Sequence, residues 1–235
     1  MQNQDKKYTS PVIHAEQTLI NAILDNEYPP GSLLPNERTL AKELNITRPT
    51  LREALKRMER DGWLCIRHGK PTTVNHFWTQ GGLNVLSGIT QFREKLPSNF
   101  IYYLLEIRIA VAPHYTSLAI QVNSAKVLES LSSTGYLDQD PHEFARFDWD
   151  LHHNLAVYSN NPVYTLILNG FKNTYFQLAG LYFQFQQARE KSWTFYQRLR
   201  KLAEQGNYLQ ARELTEETMR ESLDLWKEIE QGEFL

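Results

Sequence analysis

The run Ile46-Thr47-Arg48-Pro49-Thr50-Leu51-Arg52-Glu53-Ala54-Leu55, followed at 62–74 by GWLCIRHGKPTTV, decides the fold at the start of this chain. Leu51, Leu55 and Met58 recur four and then three residues apart, the spacing of one helical face, and Thr47 stands where a hydroxyl can cap the helix. Pro49 falls in the first turn, where its missing N–H costs little. With the apolar face inward, Arg48, Thr50 and Arg52 point out from the helix N-terminus, the end that meets base edges when a helix lies in a DNA major groove. The planar fork of an arginine can bond guanine O6 and N7 together. Two exposed arginines alone also suit a solvated amphipathic face, so the neighbouring elements decide between the two readings.

Upstream, the run LPNERTLAKEL at 34–44 predicts a short helix capped by Asn36, with Leu40, Ala41 and Leu44 inward and a turn at Asn45 and Ile46. Two helices so joined make a helix-turn-helix. Downstream, the β-prone runs 63–67 and 71–74 flank His68-Gly69-Lys70, which predicts a hairpin wing with glycine at its tight turn. Glycine hairpins are frequent connectors, but after a helix-turn-helix the tip is the expected second contact with a phosphate or a minor groove. Residues 29–78 carry nine Lys or Arg against five Asp or Glu, whereas the whole chain has a net charge of −2. The basic surface is therefore confined to this first module, which excludes a generally cationic nucleic-acid coat.

The single cysteine, Cys65, excludes an internal disulfide framework and suits a reducing cytosol. The N-terminal MQNQDKKYTS lacks the apolar run of a signal peptide and no apolar span reaches bilayer length, so a cytoplasmic protein without a membrane partner is expected. Residues 76–82, with Gly81-Gly82, read as a linker between a winged-helix DNA-binding domain at 1–75 and a second domain at 83–235. In that second domain apolar residues at three and four spacing run near 83–94, 98–120, 124–135, 141–159, 162–185, 187–205 and 207–230. The expected fold is mainly α: an N-terminal winged helix-turn-helix (α/β) followed by an all-α antiparallel bundle of about seven helices. At 41% hydrophobic residues, 12% of the chain being aromatic, both domains have the material for a core.

Several bundle helices carry polar or aromatic residues on faces that should be inside: Arg108 within LLEIRIA, and Tyr175, Tyr182, Ser222 and Trp226. A bundle that holds a ligand keeps an apolar, aromatic cavity with a few polar anchors, although aromatics at helical spacing equally build plain core. Arg108 needs an anionic partner, which is either a protein carboxylate or a ligand. Asp148 and His152 share one helical face, with Asp150 and His153 beside them, but a transition metal wants at least three protein ligands and no histidine follows His153. A hydrogen-bonded polar spot without metal is expected there. No Ser/His/Asp or Cys/His set and no Gly-rich phosphate loop is found, so a binding protein without cofactor is expected rather than an enzyme.

The pattern Tyr28-Pro29-Pro30-Gly31-Ser32-Leu33-Leu34-Pro35-Asn36-Glu37-Arg38, then Thr47 to Leu55 and Gly62-Trp63-Leu64, resembles the winged helix of the GntR family of transcription regulators. Through Arg60 to Leu64, His68 to Thr72, Phe77-Trp78, Gly82-Leu83-Asn84, Asn161 to Tyr164, Leu166 to Gly170, Tyr182-Phe183, Phe195-Tyr196 and Glu221-Ser222, the chain is most similar to the fatty-acid-metabolism regulators of that family. The resemblance implies a homodimer on a palindromic operator DNA, released by a long-chain acyl-coenzyme A (acyl-CoA) bound in the helical domain. It further implies repression of degradation genes and activation of unsaturated fatty-acid synthesis. By the same resemblance Arg38, Thr47, Arg48, Thr50 and Arg52 contact phosphates and major-groove bases, His68, Gly69 and Lys70 reach the minor groove, and Arg108, Tyr175, Tyr182, Ser222 and Trp226 line the acyl-CoA cavity. Pro49 stands where those regulators have threonine, and Met219 where they have a glycine near the ligand. Metal-binding relatives use an aspartate and three histidines, of which this chain keeps Asp148 and His152, with Tyr196 and Ser222 in the other places. A small carboxylate held by a metal is accordingly the second effector class.

Overall fold

The computed structural model describes residues 10–93, 96, 97, 99–132 and 140–230, among which there are ten helices and one two-stranded sheet. The chain divides into two compact units, Met1–Leu96 and Pro97–Leu235. The N-terminal residues 1–9 and positions 94, 98 and 133–135, all of which carry expectations above, lie outside the described residues.

The first unit contains α1 (Pro11–Leu24), α2 (Glu37–Glu43), α3 (Arg48–Arg60), β1 (Leu64–Cys65), β2 (Thr73–Val74), α4 (Phe77–Gln80) and α5 (Asn84–Phe92). Helix α1 adds to the expected elements: Pro11 sits in its first turn, and Val12, Ala15, Leu19 and Ile23 make a buried stripe at three and four spacing. The Asn36 side chain caps α2 by accepting from the Thr39 N–H at 3.0 Å. The turn into α3 passes through Asn45 at φ +51°, a left-handed conformation that asparagine tolerates. Leu51, Ala54, Leu55 and Met58 of α3 are buried, as the spacing predicts. Strands β1 and β2 pair antiparallel with Leu64 opposite Val74, and Leu33 adds a bridge to Thr73.

The expected linker at 76–82 is ordered against this unit. Phe77 of α4 is buried with its ring 4.9 Å from that of Trp63. Helix α5 follows onto the same indole: a Cβ on Gly88 would stand 3.1 Å from the Trp63 ring, so a side chain there would force the indole to shift. Asn84 donates to Asp61 at 3.2 Å and Arg93 pairs with Asp25. The compact division falls after Leu96; α4 lies within the stretch 76–82 expected as a linker, and α5 lies between that stretch and the division.

The second unit holds α6 (Phe100–Ser132), α7 (Pro141–Tyr158), α8 (Pro162–Tyr182), α9 (Gln186–Glu204) and α10 (Tyr208–Glu230). Within α6 there are two helices, as expected near 98–120 and 124–135, which meet at the non-helical Asn123 (φ −140°, ψ 46°), whose side chain donates to the Tyr158 carbonyl at 2.8 Å. Three-residue connections through Asn160 (φ +58°) and Gly206 (φ +64°) turn α7 back along α8 and α9 back along α10. Ala112, Ala119, Ala156 and Ala188 are buried at helix contacts, with Leu151, Leu155 and Leu199 filling the core. Helix α8 differs: it is largely apolar, yet only Thr174, Ala179 and Gly180 are buried, because much of its inner face looks into a cavity. Among the described residues no helix is long and apolar enough to cross a membrane.

Candidate DNA-binding surface and internal cavity

The outer face of the helix-turn-helix is polar and open. Arg38, Thr47, Arg48 and Arg52 are exposed and Thr50 is half-buried. Thr47 caps α3 by accepting from the Thr50 N–H at 3.3 Å, and its hydroxyl lies 2.8 Å from that of Thr50, so one hydroxyl proton of the pair stays available to an outside acceptor. Pro49, exposed between them, supplies no hydroxyl. The side chains of Arg48 and Arg52 are each 58% exposed; Glu37 Oε2 lies beside both, and their remaining N–H groups can meet a polyanion. On the wing, the Lys70 N–H donates to the Arg67 carbonyl at 3.1 Å, Gly69 adopts φ +70°, and His68, Gly69 and Lys70 all project into solvent. Trp63, Leu64 and Val74, all buried, anchor the base of this hairpin.

The second unit holds a cavity between α6, α7, α8 and α10. Arg108, Tyr175, Tyr182, Ser222 and Trp226 all line it, together with apolar side chains such as Leu104, Leu105, Ile167, Phe171 and Leu178. That lining suits a largely apolar ligand held by a few polar groups. Met219 is buried in the helical core and is not one of the lining residues, so it does not narrow the cavity directly.

The anionic partner of Arg108 is Asp148. Arg108 Nη2 lies 3.0 Å from Asp148 Oδ2, which also accepts from the Tyr175 hydroxyl at 2.8 Å. Asp148 Oδ1 accepts from the Tyr196 hydroxyl at 2.7 Å and faces His152 Nε2 at 3.7 Å. Burial works against the Asp148 charge, but Arg108, His152 and the two tyrosines outweigh it and hold the carboxyl below its ordinary range. Burial also opposes the Arg108 charge, and the Asp148 carboxylate reverses this and raises its pKa. His152 is pushed down to about 4 by burial and then by the nearby Arg108, so it is neutral at pH 7. Its Nδ1 lies 2.9 Å from the Tyr115 hydroxyl, whereas Nε2, facing the carboxylate, has no hydrogen-bond partner. Burial raises the Tyr115, Tyr175 and Tyr196 hydroxyls, which keeps them protonated as donors.

At the far wall, the Ser222 hydroxyl donates to the Thr218 carbonyl at 2.9 Å, and the ring of Tyr182 tilts over Trp226 at 6.3 Å. The Thr174 hydroxyl and Trp226 Nε1, both buried, have no hydrogen-bond partner. Asp150 and His153 point away from the polar centre: Asp150 is exposed, and His153 pairs with Asn169 at 3.0 Å. Among the described residues there is no group of three or more His, Cys, Asp or Glu able to hold a metal. Both Asp148 oxygens already serve the protein, and the Arg108 guanidinium supplies the positive charge beside them. Tyr115 belongs to this centre without having been anticipated. Arg108, Ala112 and Tyr115 lie four and three residues apart on one helical face, a spacing that marks Tyr115 as a neighbour of the arginine.

The first unit thus presents an exposed arginine-bearing helix-turn-helix with a wing, the arrangement of a DNA-binding protein, and the second is an all-helical unit built around a cavity. Residues 12–74 match the profile of bacterial regulatory proteins of the gntR family, and residues 75–232 match that of the FadR C-terminal domain. The chain belongs to the GntR family, in the branch that carries the FadR C-terminal domain; it is a transcription regulator and not an enzyme. The fatty acid metabolism regulator protein of Shewanella frigidimarina is 42% identical over 219 residues, which cover 93% of this chain and 92% of that one. Its counterpart in Shewanella denitrificans is 43% identical over 199 residues, 85% of this chain and 83% of the other. The solved structure of Lar, which controls expression of the Listeria monocytogenes agr system, is 18% identical with a TM-score of 0.51 over 93% of this chain and 97% of Lar; this likeness is one of fold alone.

Proposed function

We propose that this protein is a cytoplasmic, homodimeric regulator of fatty-acid metabolism that grips a palindromic operator and lets go when a long-chain acyl-CoA enters its helical unit. On this reading it represses degradation genes and activates synthesis of unsaturated chains. Arg38, Thr47, Arg48, Thr50 and Arg52 meet phosphates and major-groove bases, and His68, Gly69 and Lys70 reach the minor groove. The acyl chain lies among Leu104, Leu105, Ile167, Phe171 and Leu178, and Tyr182, Ser222 and Trp226 face its polar end. The observation that carries the proposal is the apolar, aromatic lining of the cavity, in a chain whose relatives are named fatty acid metabolism regulators. Arg108 serves here by closing the charge of Asp148 inside the cavity wall.

Release requires the ligand to bind the DNA-incompetent form better than the competent one, by about 5 kcal/mol for a nearly complete switch. The second reading, a small carboxylate held by a metal, has less support because Asp148 already serves Arg108, Tyr175 and Tyr196. The test is a titration of the protein, bound to a FadR-type operator duplex, with acyl-CoA of increasing length. Oleoyl-CoA is expected to release the duplex and acetyl-CoA to leave it bound. Retention of the duplex at every chain length would overturn the proposal.

A further inference from the structure

Glu37 carries no role in the DNA contacts assigned above, yet its carboxylate reaches both arginines of α3 that face the bases. Its Oε2 lies 2.7 Å from Arg52 Nε and 4.0 Å from Arg48 Nη2, bridging from α2 across the turn to α3. We propose that Glu37 is a specificity-determining positioning residue, which orients Arg52 toward base edges and restrains the pull of the arginine pair on the phosphate backbone. The inference rests on the assignment of Arg48 and Arg52 to bases made above.

Two physical arguments converge on this role. The first is geometric. An arginine has one Nε–H and two terminal amino groups, and guanine O6 and N7 accept from a parallel pair of N–H bonds. A carboxylate that takes Nε leaves the two terminal nitrogens to face outward as that pair, and Arg52 gives its Nε to Glu37. Without the restraint, a side chain 58% exposed samples many rotamers, loses that freedom on binding, and bonds the nearest phosphate as readily as a base. The second is electrostatic. Arg48 and Arg52 stand one helical turn apart, and one carboxylate against both reduces their combined charge from two to one. Sequence-independent affinity scales with the number of phosphates neutralised, so the carboxylate lowers binding to any duplex more than binding to the right one.

The experiment measures affinity of wild type, Glu37→Ala and Glu37→Gln for a duplex selected from a random pool by the wild-type protein, and for a scrambled duplex, across a salt series. For Glu37→Ala we expect the ratio of selected to scrambled affinity to fall about tenfold, scrambled binding to strengthen, and the slope of log K against log salt to steepen by about one. Glu37→Gln keeps an acceptor for Arg52 Nε but loses the charge, and is expected to show the same steeper slope with a smaller fall in the ratio. Unchanged ratios in both variants, at wild-type melting temperature, would overturn the role of Glu37. Equal strengthening on both duplexes would also overturn it, since the charge alone would then account for the effect. If the wild type selects no sequence from the pool, the reading of α3 as a base-contacting helix fails instead, and the two failures are told apart.

Discussion

Asp148 is nearly out of water and accepts from Arg108, Tyr175 and Tyr196, so its charge is tolerable only while those donors remain. Asp148→Asn removes the charge and leaves the Arg108 cation without a counter-ion, and we expect it to lower stability by about 3 kcal/mol in urea unfolding. The double variant Arg108→Met with Asp148→Leu should recover part of that loss, since no buried charge is then left uncompensated while the buried Tyr196 hydroxyl loses its acceptor; a single-variant loss below about 1 kcal/mol would contradict the account. His152 gives the same centre a pH dependence. Its folded pKa of about 4 lies below the ordinary 6.5, so between those values the unfolded chain takes up a proton that the folded chain refuses. Stability is therefore fully present above pH 6.5 and falls as the pH drops toward 4, by about 3 kcal/mol across the window, with the depressed carboxyl of Asp148 adding further loss in stronger acid. The urea midpoint should decline from pH 7 to pH 5, and His152→Gln should flatten the decline.

At the scale of elements, α5 is the clearest case of packing that depends on one position. Gly88 brings the helix against the buried Trp63 ring, and an indole 1% exposed has nowhere to retreat. We expect Gly88→Val to destabilise the first unit by about 1–3 kcal/mol through overpacking, read as a lower urea midpoint by the fluorescence of Trp63 and Trp78. Helices α2 and α3 were legible in the sequence because local rules suffice for them: caps at Asn36 and Thr47 and a stripe at Leu51, Leu55 and Met58. The wing was legible through Gly69 between β-prone runs. The place of α5 was not, because a glycine in a helix reads as a weak point until the ring it must clear is known. The five cavity residues were legible as inward polar or aromatic groups, but Arg108 left its partner open between ligand and protein. Only the fold brings Asp148, forty residues away, to the guanidinium. Tyr196 could be read as a place in a metal-site pattern, whereas its bond to Asp148 depends on how α7 meets α9.

For the molecule as a whole, the quantity that matters is the coupling between occupancy of the cavity and affinity for DNA. Trp226→Ala and Ser222→Asn alter the cavity wall within the second unit. Each is expected to bind operator as wild type does and to need at least tenfold more oleoyl-CoA for release; an unchanged titration midpoint in both would place the ligand elsewhere. The profiles of the two family domains meet between Val74 and Asn75, whereas the compact unit runs on through α4 and α5 to Leu96. Recombination between regulators of this kind would accordingly respect a different seam from the one their sequences advertise. A reading head grafted onto a foreign sensor at residue 74 would arrive with Trp63 stripped of Phe77 and Gly88, while one spliced at Pro97 would carry its own floor with it.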